Sequence, residues 1–244
     1  MRGLTFATNV PVDVAGNGDI DYLLTPDPKE VWQAANPVST IDIDLGEVRS
    51  IDTIFLGFTN ASATTTWRAD ATTSMAGANP SPIFNAIALR VPGAGPRYHG
   101  LQLLAAAIQT RYLRITITHD AAGFQAGCIM VDERIEHPYE FKSGRRPIDL
   151  AERVELSGGG FGTGDGAVKS GFRFTVAGLD DDELLELYRS IMAIGLKKPA
   201  LAVEGGEAVI VHEQVHYCVF ERFEAYERED SADTRWGLSI VDWV

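Results

Sequence analysis

The sequence contains one motif whose residue types and spacing could carry out catalysis, His212-Glu213-Gln214-Val215-His216. On a helix, histidines four residues apart lie on one face and can hold Zn²⁺, while the glutamate activates a water molecule. The neighbouring residues are β-branched or aromatic and favour a strand, in which the two histidines would lie about 13 Å apart. We therefore predict a chance match, with a zinc metallopeptidase using His212, Glu213 and His216 as the alternative.

Two tryptophans in the first half of the chain, Trp32 and Trp67, are the candidate residues for stacking on a glycan if their rings are exposed. Burial in a core or an interface is the prediction for both, with glycan stacking as the alternative. Asp42 and Asp44 alternate with apolar residues, which predicts a solvated strand face, with a calcium ligand pair as the alternative.

The glycine-rich segment 157–166 does not fit a nucleotide-binding loop. Val168 stands where the Walker sequence requires a glycine before Lys169, and a strand pattern follows where a helix is needed. We expect an interface or hinge loop there. Because the sequence also lacks Gly-x-Ser-x-Gly and Cys-x-x-Cys, no catalytic residue, metal or cofactor is predicted, and the protein is expected not to be an enzyme.

The charge of the chain argues against nucleic acid and membranes as partners. Its 244 residues include 21 Lys and Arg against 34 Asp and Glu, which gives a net charge of −13. A nucleic-acid-binding surface needs a basic footprint, and an anionic membrane repels an acidic protein. No apolar stretch approaches the roughly 20 residues of a membrane helix, so no membrane insertion is predicted. Cys128 and Cys218 are predicted to be buried free thiols, with a disulfide between them as the alternative.

The first half of the chain, residues 1–140, carries the pattern of a β-sandwich. Apolar and polar residues alternate over 41–45 and 111–118, and a more buried run covers 51–58. Residues 101–109 fit either a strand or a short helix, and their alanines favour the helix.

The second half, residues 141–244, is predicted to be a smaller β-rich domain with one main helix at about 180–194. Asp180 fits the N-cap of this helix, and Gly195 fits the position just after its end. Leu184, Leu187, Ile191 and Ile194 form an apolar stripe at helical spacing. The fold class predicted from the whole sequence is therefore mainly β, with an α+β C-terminal part.

The strand pattern of residues 30–132 resembles the galactose-binding-like, discoidin-type jelly roll. The resemblance rests on Trp32, Ser39–Gly46, Val48–Leu56, Thr59-Asn60 and Arg111–Ile115. It implies a sandwich of that type for the first half. No binding residue of that family maps onto this sequence, so the resemblance implies no ligand.

The combination of both halves resembles structural proteins of phage tail tips, of the distal-tail or minor-tail type. The matching features are the glycine-rich loop, Gly171–Phe174, Gly178–Leu184, Pro199–Val203 and Trp236–Ile240. This resemblance implies a homo-oligomeric ring or adaptor in the tail of a virion, assembled in the host cytoplasm and bound to other tail proteins. Its arginines would then lie at the contacts between copies. A carbohydrate-binding module that attaches to host-surface glycans is the alternative function.

Overall fold

A computed structural model describes residues 3–7, 11–93, 95, 97–140, 143–205, 209–228 and 234–243 of the chain. In order, its strands are β1 (Gly3–Ala7), β2 (Asp13–Ala15), β3 (Trp32–Gln33), β4 (Val38–Thr59), β5 (Thr66–Thr72), β6 (Ser81–Ala88), β7 (Tyr98–Thr118), β8 (Gln125–Ala126), β9 (Cys128–Asp132), β10 (Ile135–Pro138), β11 (Gly144–Asp149), β12 (Arg153–Glu155), β13 (Phe161–Thr163), β14 (Val168–Leu179), β15 (Ala200–Glu204), β16 (Val215–Phe223), β17 (Glu227–Arg228) and β18 (Thr234–Asp242). The helices are α1 (Asp181–Ile194) and two 3₁₀ helices, Ile20–Leu24 and His212–Gln214. No helix in the described ranges is long and apolar enough to span a membrane.

The chain divides into two compact units. Residues 5–135 and 201–215 form the first, which we call the sandwich unit, and residues 1–4, 136–200 and 216–244 form the second, the helical unit. The predicted domains, 1–140 and 141–244, stay a prediction. The units differ from them because 201–215 belong with the sandwich unit, and 1–4 and 136–140 with the helical unit.

The sandwich unit is built on two long antiparallel strands, β4 and β7. The first half of β4 pairs with the second half of β7, as in Ile41 with Ile115, and the second half of β4 pairs with the first half of β7, as in Ile54 with Gln102. Register shifts separate the halves, and Gly46 adopts φ +82° at the first shift, a conformation that favours glycine. Each long strand therefore contributes to both layers of the sandwich.

The remaining strands complete the two layers and enclose one core. Strands β2, β5 and β6 extend the first layer in the order β2-β4-β7-β5-β6, and β9 pairs with the second half of β4. The core holds buried side chains from both layers, among them Trp32, Trp67, Ile41, Ile43, Ile54, Leu56, Ile115 and Phe124. The predicted mainly β fold with a sandwich is confirmed.

The helical unit contains the strand order β11-β14-β18-β16 and the helix α1. Asp180 caps the helix, because its Oδ1 accepts hydrogen bonds from the amides of Asp182 and Glu183, both at 2.9 Å. Gly195 follows the last turn with φ +62°. The four stripe residues, Leu184, Leu187, Ile191 and Ile194, are buried. The predicted helix and its caps are confirmed.

Two local predictions are wrong. Residues 101–109 are part of strand β7, because their partners in β4 supply hydrogen bonds that outweigh the helix propensity of three alanines. The segment 157–166 is not wholly a loop, because Phe161–Thr163 forms strand β13 and pairs with β12. The result is a two-stranded hairpin, β12-β13, with the glycines Gly159 and Gly160 at positive φ in its turn.

Candidate ligand-binding site

The His-Glu-x-x-His residues do not lie on one helix. His212 and Glu213 are in a 3₁₀ helix of the sandwich unit, whereas His216 is in strand β16 of the helical unit. The His212 ring stacks on His99 with centroids 4.7 Å apart, and Nδ1 of His216 lies 2.9 Å from Oδ1 of Asp242. The zinc alternative for His212, Glu213 and His216 therefore lacks the helix that its chemistry requires. The fully extended conformation predicted for these residues is also wrong, because the 3₁₀ turn precedes the strand.

Among the described residues, no group of three or more His, Cys, Asp or Glu side chains is placed to hold a metal ion. Cys128 and Cys218 are free and buried, and burial raises the pKa of both thiols.

Trp32 and Trp67 are core residues and cannot stack on a glycan in this structure. Their exposed fractions are 0% and 1%. Nε1 of Trp32 donates to the carbonyl oxygen of Asn17 at 2.6 Å, and the Trp67 ring packs edge-on against Phe84 at 5.2 Å. Both tryptophans are buried, as the sequence favoured, and the stacking alternative has no support because a ring enclosed between two layers presents no face to a sugar.

Asp42 and Asp44 are bound by arginines rather than solvated or available to calcium. Arg114 binds Asp42 through two hydrogen bonds of 2.6 and 2.7 Å, and Arg111 binds Asp44 through two of 2.8 and 2.9 Å. The hydrogen bond from Arg111 holds the pKa of Asp44 below its ordinary value. These four side chains connect β4 to β7 and contribute no ligand site.

Loops meet at one end of the sandwich unit, because Val38 and Thr66 both pair with Thr118 at the ends of their strands. Loops at the end of a sandwich are a common place for binding residues. The loop after β2 leaves the sheet at this end too, because Ala15 pairs with Asp42, and its Tyr22 ring is 40% exposed. Several polar side chains of the other loops are hydrogen-bonded within this loop end. Hydrogen bonds join Asn60 to Gly123 and Gln125, Thr64 to Asp120, and Thr65 to His119.

The helical unit contains a pocket with exposed aromatic rings, which we call the aromatic pocket. Its volume is about 340 Å³. The Tyr188 ring lies nearly parallel to Trp236 with centroids 6.0 Å apart, and the Tyr226 ring meets Trp236 edge-on at 6.0 Å. Tyr188 and Tyr226 are 41% and 43% exposed, while Trp236 is 3% exposed. The pocket is lined by Tyr188, Ile191, Met192, Phe223, Glu224, Ala225, Tyr226 and Trp236.

Two features of the local sequence place these rings. Tyr188 and Met192 are four residues apart on α1, and both lie outside the buried stripe, so the pair faces away from the core. Trp236 lies in β18, where its Nε1 donates to the carbonyl oxygen of Glu224 at 2.8 Å. This hydrogen bond fixes the segment after β16 against the ring and so forms the floor of the pocket.

A second, basic groove lies on the other face of the sheet from Trp236, because Ser239 and Trp236 are three residues apart in β18, and we call it the arginine groove. Its volume is about 520 Å³, and it is lined by Gly144, Arg145, Arg146, Phe172, Arg173, Glu221, Arg222, Ser239 and Ile240. Nη2 of Arg146 donates to both carboxylate oxygens of Glu221, at 2.6 and 2.7 Å. The carboxylate of Glu224 accepts hydrogen bonds from Arg173 and Arg222, two arginines of the groove.

Sequence reasoning missed both surfaces. For one wall of the aromatic pocket, the sequence did contain a signal: Tyr188 and Met192 lie at helical spacing outside the apolar stripe, which indicates exposed apolar side chains on α1. The other rings come from 223–226 and 236, which are distant from the helix in sequence. The arginines of the groove come from three strands whose pairing no local pattern reveals.

No protein-family model matches the chain, and no curated protein matches it either. Several solved structures are similar. A chitosan-binding module 1 derived from a chitosanase/glucanase of Paenibacillus sp. IK-5 aligns with a TM-score of 0.41 and 13% identity, over 50% of this chain and 95% of the module. The CBM32 of AlyQ in complex with 4,5-unsaturated mannuronic acid aligns with a TM-score of 0.41 and 14% identity, over 51% of this chain and 96% of that module. CBM32-1 from a family 31 glycoside hydrolase of Clostridium perfringens aligns with a TM-score of 0.39 and 18% identity, over 51% of this chain and 97% of that module. A likeness at this level does not extend to a ligand.

Proposed function

We propose that this chain is a non-enzymatic glycan-binding protein and that the aromatic pocket of the helical unit is its binding site. The observation that carries the proposal is the pair of exposed rings, Tyr188 and Tyr226, whose centroids each lie 6.0 Å from that of the buried Trp236 ring. Aromatic rings offer an apolar face of about the size of a sugar ring, and the tyrosine hydroxyls and the Glu224 carboxylate supply polar partners for sugar hydroxyls.

The size and position of the pocket also suit a saccharide. Its volume of about 340 Å³ lies within the range of small-ligand sites. The sandwich unit presents fewer exposed aromatic rings, because its two tryptophans are buried. Polar side chains of its loop end are also already hydrogen-bonded within the protein. We therefore propose carbohydrate binding at the aromatic pocket and not at Trp32 and Trp67.

A glycan array followed by calorimetry on the best ligand tests the proposal. Tyr188→Ala and Tyr226→Ala should each weaken binding by about tenfold or more, because exposed tyrosines that contact a ligand contribute strongly. Tyr22→Ala is the matched control, since Tyr22 is 40% exposed and lies in the sandwich unit. An array without binding, or an equal loss in the Tyr22 variant, contradicts the proposal.

A second candidate function is that of a ring or adaptor subunit in a phage tail tip, bound to its own copies and to other tail proteins. The observation that favours it is a group of exposed apolar side chains on and beside the β12-β13 hairpin. They are Leu150, Val154, Leu156, Phe161 and Val168, each more than half exposed. Exposed apolar groups of this kind are typical of protein interfaces. This candidate places the protein in the tail of the virion, after assembly in the host cytoplasm.

Sedimentation of the purified chain and mass spectrometry of purified tail particles test this second candidate. The candidate requires a closed oligomer in solution and the chain among the particle proteins. The triple variant Val154→Ser, Leu156→Ser, Phe161→Ser should be monomeric, because it removes the apolar contact without touching the buried core. A wild-type chain that stays monomeric and is missing from particles excludes this function.

A further inference from the structure

The arginine groove is a basic surface on an acidic protein. The whole chain carries a net charge of −13, yet among the described residues four arginines and one glutamate line this groove. The carboxylate of Glu224, which Arg173 and Arg222 contact, adds a second negative charge. Four guanidinium groups against two carboxylates leave an excess of two positive charges in this set. A local charge opposite to that of the whole protein points to an anionic ligand.

We propose that the arginine groove binds a doubly charged phosphate group, carried by an ester or free as inorganic phosphate. This site is separate from the aromatic pocket, whose Trp236 lies on the other face of the sheet, and the inference does not rest on glycan binding. A phosphate monoester has a second pKa of about 6, so at neutral pH it carries nearly the two negative charges that balance the groove. A carboxylate or a sulfate ester carries a single charge. Arginine suits the task because its planar guanidinium donates two parallel hydrogen bonds to phosphate.

The register of the sheet explains why the guanidinium groups converge. Arg173 of β14 and Arg222 of β16 both pair with Ser239 of β18, so the three side chains form one row across the sheet. Arg146 of β11 pairs with Gly171, two residues from Arg173, and therefore lies on the same face. Three strands thus deliver three arginines to one face, with Ser239 between two of them.

Two glycines on that face let long side chains lie close against the sheet. Arg146 passes over Gly171, where an added Cβ would lie 3.4 Å from its Nε, and reaches Glu221 in β16. Glu224 lies over Gly237, where an added Cβ would lie 2.8 Å from its Oε2. These close approaches hold the Arg146 guanidinium and the Glu224 carboxylate against the sheet, so the charged groups of the groove occupy defined positions.

Glu224 indicates where a phosphate group would bind. Nη2 of Arg222 lies 2.6 Å from Oε1 of Glu224, and Nη2 of Arg173 lies 3.3 Å from the same oxygen. Two arginines from different strands therefore already share one anionic oxygen. The Arg173 contact is long, so a phosphate oxygen can replace it at little cost. The hydroxyl of Ser239, between the two arginines in the row, can donate a further hydrogen bond.

Calorimetry with glucose 6-phosphate and glucose 6-sulfate at pH 7.5 tests the inference on the wild-type chain. The two probes share a sugar and a tetrahedral oxyanion, and they differ by about one negative charge. The phosphate should bind about tenfold more tightly, because one further hydrogen bond between charged groups contributes about that factor. Equal affinities, or no binding of either probe, would overturn the inference.

Two further probes identify the source of the anion. Inorganic phosphate that binds at least as tightly as glucose 6-phosphate supports free phosphate as the ligand, whereas weaker binding supports an ester. Triglutamate carries several carboxylates and no phosphate. If it binds more tightly than glucose 6-phosphate, the inference is overturned in favour of an acidic peptide.

Variants of the groove identify the residues. Arg173→Ala and Arg222→Ala should each weaken glucose 6-phosphate binding by about tenfold. Arg189→Ala is the control, since Arg189 is exposed on α1 and does not line the groove. Unchanged affinity in both groove variants would place the phosphate elsewhere and overturn the inference.

Glu224→Gln should have the opposite effect. This variant removes the carboxylate that competes with phosphate for Arg173 and Arg222, so glucose 6-phosphate should bind about tenfold more tightly. A gain in affinity cannot result from a folding defect. Affinity that stays at the wild-type value in this variant would contradict the proposed exchange of Glu224 for phosphate.

Discussion

At the residue scale, the acidic groups of the sandwich unit have a structural role. Asp42 lies directly opposite Arg114 in the pairing of β4 with β7, and each pair of carboxylate and guanidinium forms two hydrogen bonds. A shift of one residue between these strands would separate Asp42 from Arg114 and turn the buried isoleucines outward. The ion pairs therefore help to fix the register of the two strands that form both layers.

The lowered pKa of Asp44 predicts a loss of stability in acid. Because the folded protein lowers this pKa below its ordinary value of 3.8, the ion pair stabilises the fold above that pH and is lost as the pH falls through the folded pKa. Asp44→Asn should therefore reduce the free energy of unfolding at pH 7, and the difference from wild type should shrink below about pH 4. Urea titrations at pH 7 and pH 3 measure both values.

The exposed Glu47, on the same strand, supplies the control for this experiment. Its side chain is 73% exposed and pairs only loosely with Arg49, at 3.4 Å. Glu47→Gln should leave the free energy of unfolding nearly unchanged at both pH values. A deficit in the Asp44 variant that is as large at pH 3 as at pH 7 would show that the effect is not electrostatic.

The two cysteines predict the behaviour of a thiol reagent. Both side chains are buried, and burial raises the pKa of each thiol, so little thiolate forms and the reagent has no access. The native protein should not react with 5,5′-dithiobis(2-nitrobenzoate) at pH 8, whereas the unfolded protein should react with two equivalents. No reaction in denaturant without reductant would indicate the disulfide instead.

At the scale of elements, the capping box of α1 holds one wall of the aromatic pocket, because Tyr188 lies two turns after the cap. Asp180→Ala removes a side chain that accepts two backbone hydrogen bonds, and should lower the free energy of unfolding by about 1 kcal/mol. Asp182→Ala, in the same turn but without a capping hydrogen bond, should cost clearly less. Chemical denaturation compares the two, and equal losses would assign the effect to charge alone.

The helix and the main strands could be predicted from sequence because each depends on local signals. Asp180, Gly195 and the apolar stripe determine where α1 begins, ends and packs, and the alternation in 111–118 determines which face of β7 is buried. Residues 101–109 could not be predicted in the same way. Their strand depends on β4, some fifty residues earlier in the chain, and that pairing outweighs the preference of the alanines.

The binding site could not be predicted for a related reason. Trp32 and Trp67 stand out in a sequence because of their type, yet their size is what makes them useful in a core. Tertiary packing decides which aromatic rings are exposed, and the exposed rings of the pocket are those of Tyr188 and Tyr226. These two residues are 38 positions apart, and only the strand β18 with its Trp236 brings them to one pocket.

At the scale of the whole molecule, the net charge of −13 opposes any assembly of identical copies. The sequence led us to expect arginine-rich contacts between copies. That expectation stays a prediction, and several arginines pair with acids of their own chain, such as Arg111 with Asp44 and Arg146 with Glu221. The exposed apolar residues of the β12-β13 hairpin remain as a source of attraction that does not depend on charge.

This difference predicts how self-association depends on salt. Salt screens the repulsion between acidic copies, with a Debye length that falls from about 10 Å at 0.1 M to about 3 Å at 1 M, but it does not weaken apolar contacts. Association through the hairpin should therefore strengthen between 0.05 and 0.5 M NaCl in sedimentation experiments. The triple serine variant of the hairpin should stay monomeric at both salt concentrations. The control is the double variant Val12→Ser, Val48→Ser, which changes two exposed valines of the sandwich unit and should associate as the wild type does. Association that weakens with salt would instead indicate that arginine and carboxylate groups form the contact, as the resemblance to ring-forming tail proteins led us to expect.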